Sequence, residues 1–188
     1  VIGIVAVIII MHMKSKWLWK LTPYIYGVGL IVMGLLLKFY DQATFEATGS
    51  RNWFRLGGFS VQPAELMKIA VILMLALVVT KHNATYRKVG TLKTDGWLMA
   101  KMLAVMLPVI VLIMLQDDFG SMLVFLAIFG GIFLMSGISW EIIVPTIVVM
   151  LLLGVTMIFL VLSDTGREIL SKFGFSAYQF ARIDAWVD

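Results

Sequence analysis

The feature that most constrains this chain of 188 residues is a series of long apolar runs separated by short polar segments. A helix needs about 20 mostly apolar residues to cross a bilayer. Six segments approach or reach that length: 1–12, 21–39, 62–80, 97–115, 121–136 and 142–162. Hydrophobic residues make up 61% of the chain and charged residues 14%, which excludes a soluble globular domain. We predict an all-α, polytopic transmembrane helix bundle with these six spans.

The apolar runs lack the alternation that porin-type strands require, so the strand content should be close to nil. Small residues are predicted to mediate helix contacts, because they let backbones approach closely. The candidates are Gly27, Gly34, Ala127, Gly130 and Gly131. The chain begins within an apolar run without Met and ends after a polar stretch. We therefore expect a single integral membrane domain, 1–188, that is truncated at both ends.

The distribution of basic residues predicts the topology. Segments 13–20 and 81–96 are rich in Lys and Arg, as cytoplasmic loops are. Alternation then places 137–141 inside and the loops 40–61, 116–120 and 163–188 outside. The net charge of +4 comes from short loops without a continuous basic face, so no nucleic-acid partner is expected. The chain has no Cys for thiolate chemistry, and its two His are isolated from each other.

Residues 62–68, QPAELMK, carry charge at the start of an apolar run. Pro63 suits the first turn of a helix, and Glu65 would face the positive end of the helix dipole. Glu65 and Lys68 are three residues apart and share a helix face. One interpretation is an internal ion pair that makes this helix start tolerable. The other is a charged wall of a water-accessible cavity open to the outer side. Neither interpretation excludes the other.

Arg51 and Trp53 lie in the predicted outer loop just before this helix. Trp53 has the properties of an interfacial anchor. Arg51 has the properties of a group that binds lipid phosphates. A guanidinium beside an indole is also suited to holding a pyrophosphate-linked sugar, because it offers bidentate donors and a flat ring face.

Residues 116–121, QDDFGS, join two spans with almost no loop and place two carboxylates near the hydrocarbon boundary. Asp118 is suited to cap the helix that starts near Gly120, worth about 1 kcal/mol. Alternatively, Asp117 or Asp118 faces the same cavity as Glu65 and Lys68, as an ion-pair partner or a ligand of a divalent cation. Further on, 163–176 is predicted to be a polar loop and 177–188 an amphipathic segment on the outer interface.

Several motifs together resemble the SEDS family of cell-wall polymerases, the RodA and FtsW proteins. They are GSRNWFRLGGFSVQPAELMK, QDDFGS, SGISW and YQFARIDAWVD, and they cover essentially the whole chain in order. The resemblance implies a ten-span protein of the bacterial cytoplasmic membrane, of which this chain is the second to seventh helices. It implies a glycosyltransferase that polymerises lipid II from an undecaprenyl-pyrophosphate-linked donor, in cell elongation or division. It also implies a class B penicillin-binding protein as partner.

The resemblance assigns Trp53, Glu65, Lys68 and Asp118 to the substrate cavity of this family. The chain departs from the family pattern at Asn52, where many members have Arg, and at Asp117 and Ser121, where the motif has Pro and Thr. The full set of candidate cavity residues is Arg51, Trp53, Glu65, Lys68, Gln116, Asp118 and Arg182. The catalytic Asp of the family is expected just beyond Asp188. Asp184 and Asp188 are the nearest carboxylates within the chain.

In the implied mechanism, a base deprotonates the acceptor hydroxyl while cations receive the pyrophosphate. Arg51, Arg182 or a bound Mg²⁺ or Mn²⁺ would serve as the cation, and no organic cofactor is expected. The alternative function is a flippase for a lipid-linked cell-wall precursor, which should carry charges at mid-bilayer depth and broken helices there. A purely structural scaffold would leave the placement of Glu65 and Asp118 unexplained.

Overall fold

The computed structural model describes residues 15–56, 59–86, 91–172 and 180. The helices in these residues are α1 (Ser15–Leu36), α2 (Gln42–Thr48), α3 (Pro63–Thr85), α4 (Leu92–Leu115), α5 (Phe119–Met135), α6 (Trp140–Leu162) and α7 (Asp164–Lys172). The strands are β1 (Phe54–Leu56) and β2 (Phe59–Val61). Within this part of the chain, α1, α3, α4 and α6 are long and apolar enough to cross a membrane, and α5 is a shorter apolar helix. The predicted all-α transmembrane fold is confirmed.

Five of the predicted spans correspond to α1, α3, α4, α5 and α6, but their limits differ. Residues 15–20 were predicted to be a loop and are helical, and α3 and α4 both extend into the predicted loop 81–96. Helices continue past the apolar core here because Lys side chains can extend their charged ends toward water. The predicted span 1–12 lies outside the described residues.

The predicted polar loop 163–176 is wrong, because α7 occupies Asp164–Lys172. Its first turn carries Asp164 and its last turn Lys172, which matches the polarity of the helix dipole. Apart from Phe180, the predicted amphipathic segment 177–188 lies outside the described residues.

The predicted loop 40–61 contains regular structure. Asp41 caps α2, since its carboxylate accepts from the Thr44 amide at 3.2 Å. Gly49 ends α2 in the left-handed conformation, with φ of 70°, where a side chain would be strained. The two strands then form an antiparallel ribbon with the register Phe54↔Val61, Arg55↔Ser60 and Leu56↔Phe59. This short ribbon is the exception to the predicted absence of strands.

The chain divides into two compact units, 1–139 and 140–188. In the first unit α3 packs against α1, α4 and α5. The largest side chains buried there are Phe125, Met33, Leu36, Met67, Leu75, Leu98, Met102 and Ile113. Tyr26 on α1 adds a polar contact, because its hydroxyl donates to the Val105 carbonyl on α4 at 2.6 Å.

The predicted role of small residues in helix contacts is not seen for the selected glycines within the described chain, and it stays a prediction. A Cβ added at Gly27, Gly34, Gly130 or Gly131 would meet open space within the described chain. Ala127 is exposed as well. The close approach occurs at Gly29, where a Cβ would lie 2.6 Å from the Met67 sulfur. Most of the buried apolar side chains among the described residues are aliphatic, with four Met and three Phe beside them.

In the second unit α7 turns back sharply at the end of α6. A Cβ at Gly166 would clash with the Leu160 carbonyl oxygen, so only glycine allows this approach. The Arg167 Nε donates to the Val161 carbonyl at 2.7 Å and fixes the turn.

Candidate functional site

Asp118 immediately precedes α5 and caps it. Its Oδ1 accepts from the Ser121 backbone amide at 3.1 Å, and its Oδ2 accepts from the Ser121 hydroxyl at 2.8 Å. Both contacts satisfy polar groups of the first helical turn, as an N-cap does. The predicted capping role of Asp118 is confirmed.

The same carboxylate also joins two distant segments. Its Oδ2 accepts from the Asn52 side-chain amide at 2.8 Å and from the Gln62 side-chain amide at 3.0 Å. Asn52 lies in the loop before β1, and Gln62 directly precedes α3. We call Asn52, Gln62, Asp118 and Ser121 the Asp118 cluster. It connects three segments through one carboxylate, and every donor in it is neutral.

Backbone contacts hold the loop against the α4–α5 junction. The Arg51 amide donates to the Gln116 carbonyl at 2.8 Å, and the Ser50 hydroxyl donates to the Asp117 carbonyl at 2.8 Å. Asp117 has φ of 56°, a left-handed conformation that Asp tolerates better than most residues. This conformation allows α5 to start only four residues after α4 ends at Leu115.

Gln116 is completely buried. Its side-chain amide donates to the Met33 carbonyl on α1 at 2.9 Å, and its Oε1 has no partner among the described residues. Met33 lies near the C-terminus of α1, where helix carbonyls lack intrahelical donors. The Gln116 amide therefore fixes the end of α1.

Glu65 and Lys68 form an ion pair at the start of α3, with 2.6 Å between the Glu65 Oε1 and the Lys68 Nζ. The Glu65 side chain is 58% exposed and the Lys68 side chain is 19% exposed. The predicted internal pair is confirmed. In the described part of the chain, Asp118 has no ion-pair contact with Lys68, and Gln62 provides its link to α3. That all three charges line one cavity stays a prediction.

Arg51 is directed toward α2 and not toward the Asp118 cluster. Its guanidinium lies 5.4 Å from the ring centre of Tyr40 and 5.2 Å from that of Phe45. The Trp53 carbonyl accepts from the Asp41 amide at 3.0 Å, and the role of the Trp53 ring stays a prediction. Three predicted site residues lie outside the described residues: Arg182, Asp184 and Asp188.

The Asp117–Asp118 junction does not fit a divalent cation. Four donors already bind the Asp118 carboxylate, and a cation would have to displace them. Within the described residues, His, Asp and Glu nowhere form a group of three that could hold a metal ion.

Sequence reasoning did not assign a role to Gln62 or to Asn52. Gln62 occupies the N-cap position of α3 but makes no side-chain cap bond there, which leaves its amide for Asp118. The usable signal is a polar residue placed directly before Pro63 at the first helical position. Asn52 stands where many family members have Arg. Its amide supplies a neutral donor at that place.

The whole chain, residues 1–188, matches the FtsW/RodA/SpoVE family, described as cell cycle protein. The probable peptidoglycan glycosyltransferase FtsW of Neisseria gonorrhoeae is 29% identical over 154 residues, covering 65% of this chain and 32% of that protein. The crystal structure of the Thermus thermophilus rod shape determining protein RodA matches with a TM-score of 0.60 and 28% identity, covering 80% of this chain and 46% of that one.

A chain from a study of how a peptidoglycan synthase complex coordinates polymerization and crosslinking matches with a TM-score of 0.65 and 26% identity. That match covers 89% of this chain and 46% of the other. This chain therefore spans less than half the length of these relatives. The family match, the relatives and the helical fold agree, and the chain belongs to the FtsW/RodA/SpoVE family of multi-pass inner membrane proteins, the SEDS family.

Proposed function

We propose that the intact protein is a peptidoglycan glycosyltransferase that polymerises lipid II at the outer face of the cytoplasmic membrane. Membership of the family and the glycosyltransferase names of its FtsW relatives support this proposal. The observation that carries it is the Glu65–Lys68 ion pair at the start of α3, next to the residue that binds Asp118. Ionisable groups at the lip of a membrane helix are costly unless they have a function.

The chemistry requires a base for the acceptor hydroxyl and a cation for the pyrophosphate leaving group. In our proposal Lys68 is the cation that this chain supplies. Glu65 orients the Lys68 ammonium before the substrate binds. Asp118 is a positioning residue, since it holds the start of α3 through Gln62. The base would come from the segment beyond Asp188.

The test is lipid II polymerisation by the intact protein carrying Glu65→Ala or Lys68→Ala. Both variants should fold, because the Glu65 carboxylate is largely exposed and such pairs contribute only about 0–1 kcal/mol to stability. Both should lose glycan synthesis. Glu141→Ala is the matched control, since Glu141 lies in the first turn of α6 and is also exposed.

The readout is the length and amount of glycan made from purified lipid II, with the elution volume of the protein as a check on folding. Wild-type glycan synthesis by both Glu65→Ala and Lys68→Ala would contradict the proposal. Loss of synthesis in Glu141→Ala as well would show that the assay reports general damage.

We further propose a class B penicillin-binding protein as partner, which the resemblance to a chain of a peptidoglycan synthase complex supports. Co-purification of the intact protein with such a partner tests this. A divalent cation such as Mg²⁺ or Mn²⁺ would need ligands other than Asp118. The flippase alternative is less favoured, because Glu65, Lys68 and Asp118 lie in the first two turns of α3 or at the cap of α5 and not at mid-span.

A further inference from the structure

We infer that Arg51, together with the surface depression next to Tyr40, binds the phosphate group of a membrane phospholipid. This site is separate from the Asp118 cluster. It does not depend on the proposed glycosyltransferase activity.

The first support is the unpaired state of the Arg51 guanidinium. Among the described residues no carboxylate lies within ion-pair distance of Arg51, and its buried Nε has no acceptor. The rings of Tyr40 and Phe45 nevertheless hold the guanidinium in place through cation–π contacts. A guanidinium held in one position without an anion is prepared to receive one, and its planar donors match a phosphate.

The second support is the surface next to Tyr40. A depression of about 560 Å³ is lined by Phe39, Tyr40, Asp41, Gln42 and Arg55. Tyr40 lines this depression, and its ring contacts the Arg51 guanidinium. Arg55 also lines it, but its guanidinium already lies 3.9 Å from the Asp41 carboxylate. Arg51 does not line the depression itself, but its guanidinium contacts the Tyr40 ring and, among the described residues, has no carboxylate within ion-pair distance.

The third support is an apolar surface that leads away from the depression and favours a lipid over a free phosphate. Ile31, Leu35 and Phe39 recur every four residues, and all three are exposed in this chain. The Phe39 amide donates to the Leu35 carbonyl at 2.9 Å, so a turn that directly follows α1 carries Phe39. An acyl chain along this surface would place its phosphate near Arg51.

The test is a titration of the full chain in detergent micelles with phosphatidylglycerol, counting bound lipid by native mass spectrometry. Arg51→Gln should weaken retention about tenfold, the size of one charge-assisted hydrogen-bond pair. Arg51→Lys should weaken it less, because it keeps the charge and loses the planar donors. Lys81→Gln is the charge-matched control, since Lys81 is exposed at the opposite end of α3.

Three results would overturn the inference. One is equal lipid retention by Arg51→Gln and wild type, with circular dichroism showing both folded. Another is an equal loss in Lys81→Gln, which would indicate general charge attraction. The third is displacement of the lipid by equimolar inorganic pyrophosphate, which would indicate a site for a soluble anion. Retention lost only at Arg51 and resistant to pyrophosphate would support it.

Discussion

Each end of the α3–α5 bundle contains a buried aspartate, and the two are satisfied differently. At one end, Asp118 accepts from neutral amide and hydroxyl groups of three segments. At the other end, Asp95 is 1% exposed and accepts from the Ser139 amide at 2.8 Å. Close to Asp95, Lys101 and His82 are in contact, with 3.3 Å between the Lys101 Nζ and the His82 Nδ1.

The two ends differ in the contacts that the nearby lysine makes. The Lys101 ammonium bonds to His82 and also lies over the rings of Trp97 and Tyr86, at 5.4 and 5.8 Å from their centres. That cation is fully engaged within the protein. At the Asp118 end, neutral donors satisfy the aspartate, and within the described residues the ion-pair partner of Lys68 is the exposed Glu65. Neutral donors thus satisfy Asp118 without Lys68, whose charge is balanced by the largely exposed Glu65 carboxylate.

The largest effect is expected from Asp118→Ala. The variant loses the cap of α5 and leaves the Asn52 and Gln62 amides without an acceptor, so the free energy of unfolding should fall by about 3 kcal/mol. Asp118→Asn keeps one acceptor oxygen for the cap, so its free energy of unfolding should fall by less. Denaturant titration in mixed micelles measures both. If Asp118→Ala changes the free energy of unfolding by less than about 0.5 kcal/mol, the Asp118 cluster contributes no more to stability than an ordinary surface residue does.

At the opposite end, Asp95→Ala should lower the free energy of unfolding by about 2 kcal/mol, because the Ser139 amide loses its acceptor. Glycan synthesis by the intact protein should remain, since this end has no proposed role in the reaction. The same denaturant titration and a polymerisation assay separate the two effects. Loss of synthesis in a folded Asp95→Ala protein would break the contrast between a structural and a functional end.

A third variant, Gln116→Leu, tests whether the stability of the Asp118 end also depends on the hydrogen bond between Gln116 and α1. The variant removes the hydrogen bond to the Met33 carbonyl, which destabilises, and also the Oε1 that has no partner among the described residues, which stabilises. We therefore expect the free energy of unfolding to fall by a net amount of about 1 kcal/mol. The check is the free energy of unfolding, with Gln42→Leu as the control, because Gln42 is exposed at the start of α2. If Gln116→Leu lowers the free energy of unfolding more than Asp118→Ala does, then the bond between Gln116 and α1 contributes more to the stability of this end than the Asp118 cluster.

Local rules predicted part of this site correctly. Apolar run length identified the described spans, and the three-residue spacing of Glu65 and Lys68 predicted their ion pair. An aspartate directly before an apolar helix predicted the cap at Asp118. Each of these features depends on neighbours within about one helical turn, so the sequence alone contains the necessary information.

Contacts between distant segments could not be predicted in the same way. Asn52 and Asp118 are 66 residues apart, and their hydrogen bond exists only because α3, α4 and α5 bring the two segments together. The direction of the Arg51 side chain depends on α2, a helix of seven residues within a predicted loop. Such a short helix carries no apolar periodicity long enough to recognise.

The smallest effect is expected at Asp41, which caps α2 as Asp118 caps α5 but lies outside the membrane-spanning segments. The Thr44 hydroxyl that donates to this carboxylate holds its pKa below the ordinary value of 3.8, and the Thr44 amide and Arg55 act in the same direction against the effect of burial. Because the pKa is lowered by folding, the stabilisation is present above 3.8 and is lost as the pH falls through the folded value.

Amide hydrogen exchange in α2 should therefore accelerate, beyond the intrinsic pH effect, as the pH falls below 3.8, while exchange in α3 stays unchanged. Asp41→Asn is the control, because a neutral cap has no proton to gain and its α2 should show no such step. An identical pH profile in wild type and Asp41→Asn would refute the role of the Asp41 charge. A step in α2 alone would show that a cap in the loop responds to pH independently of the adjacent span.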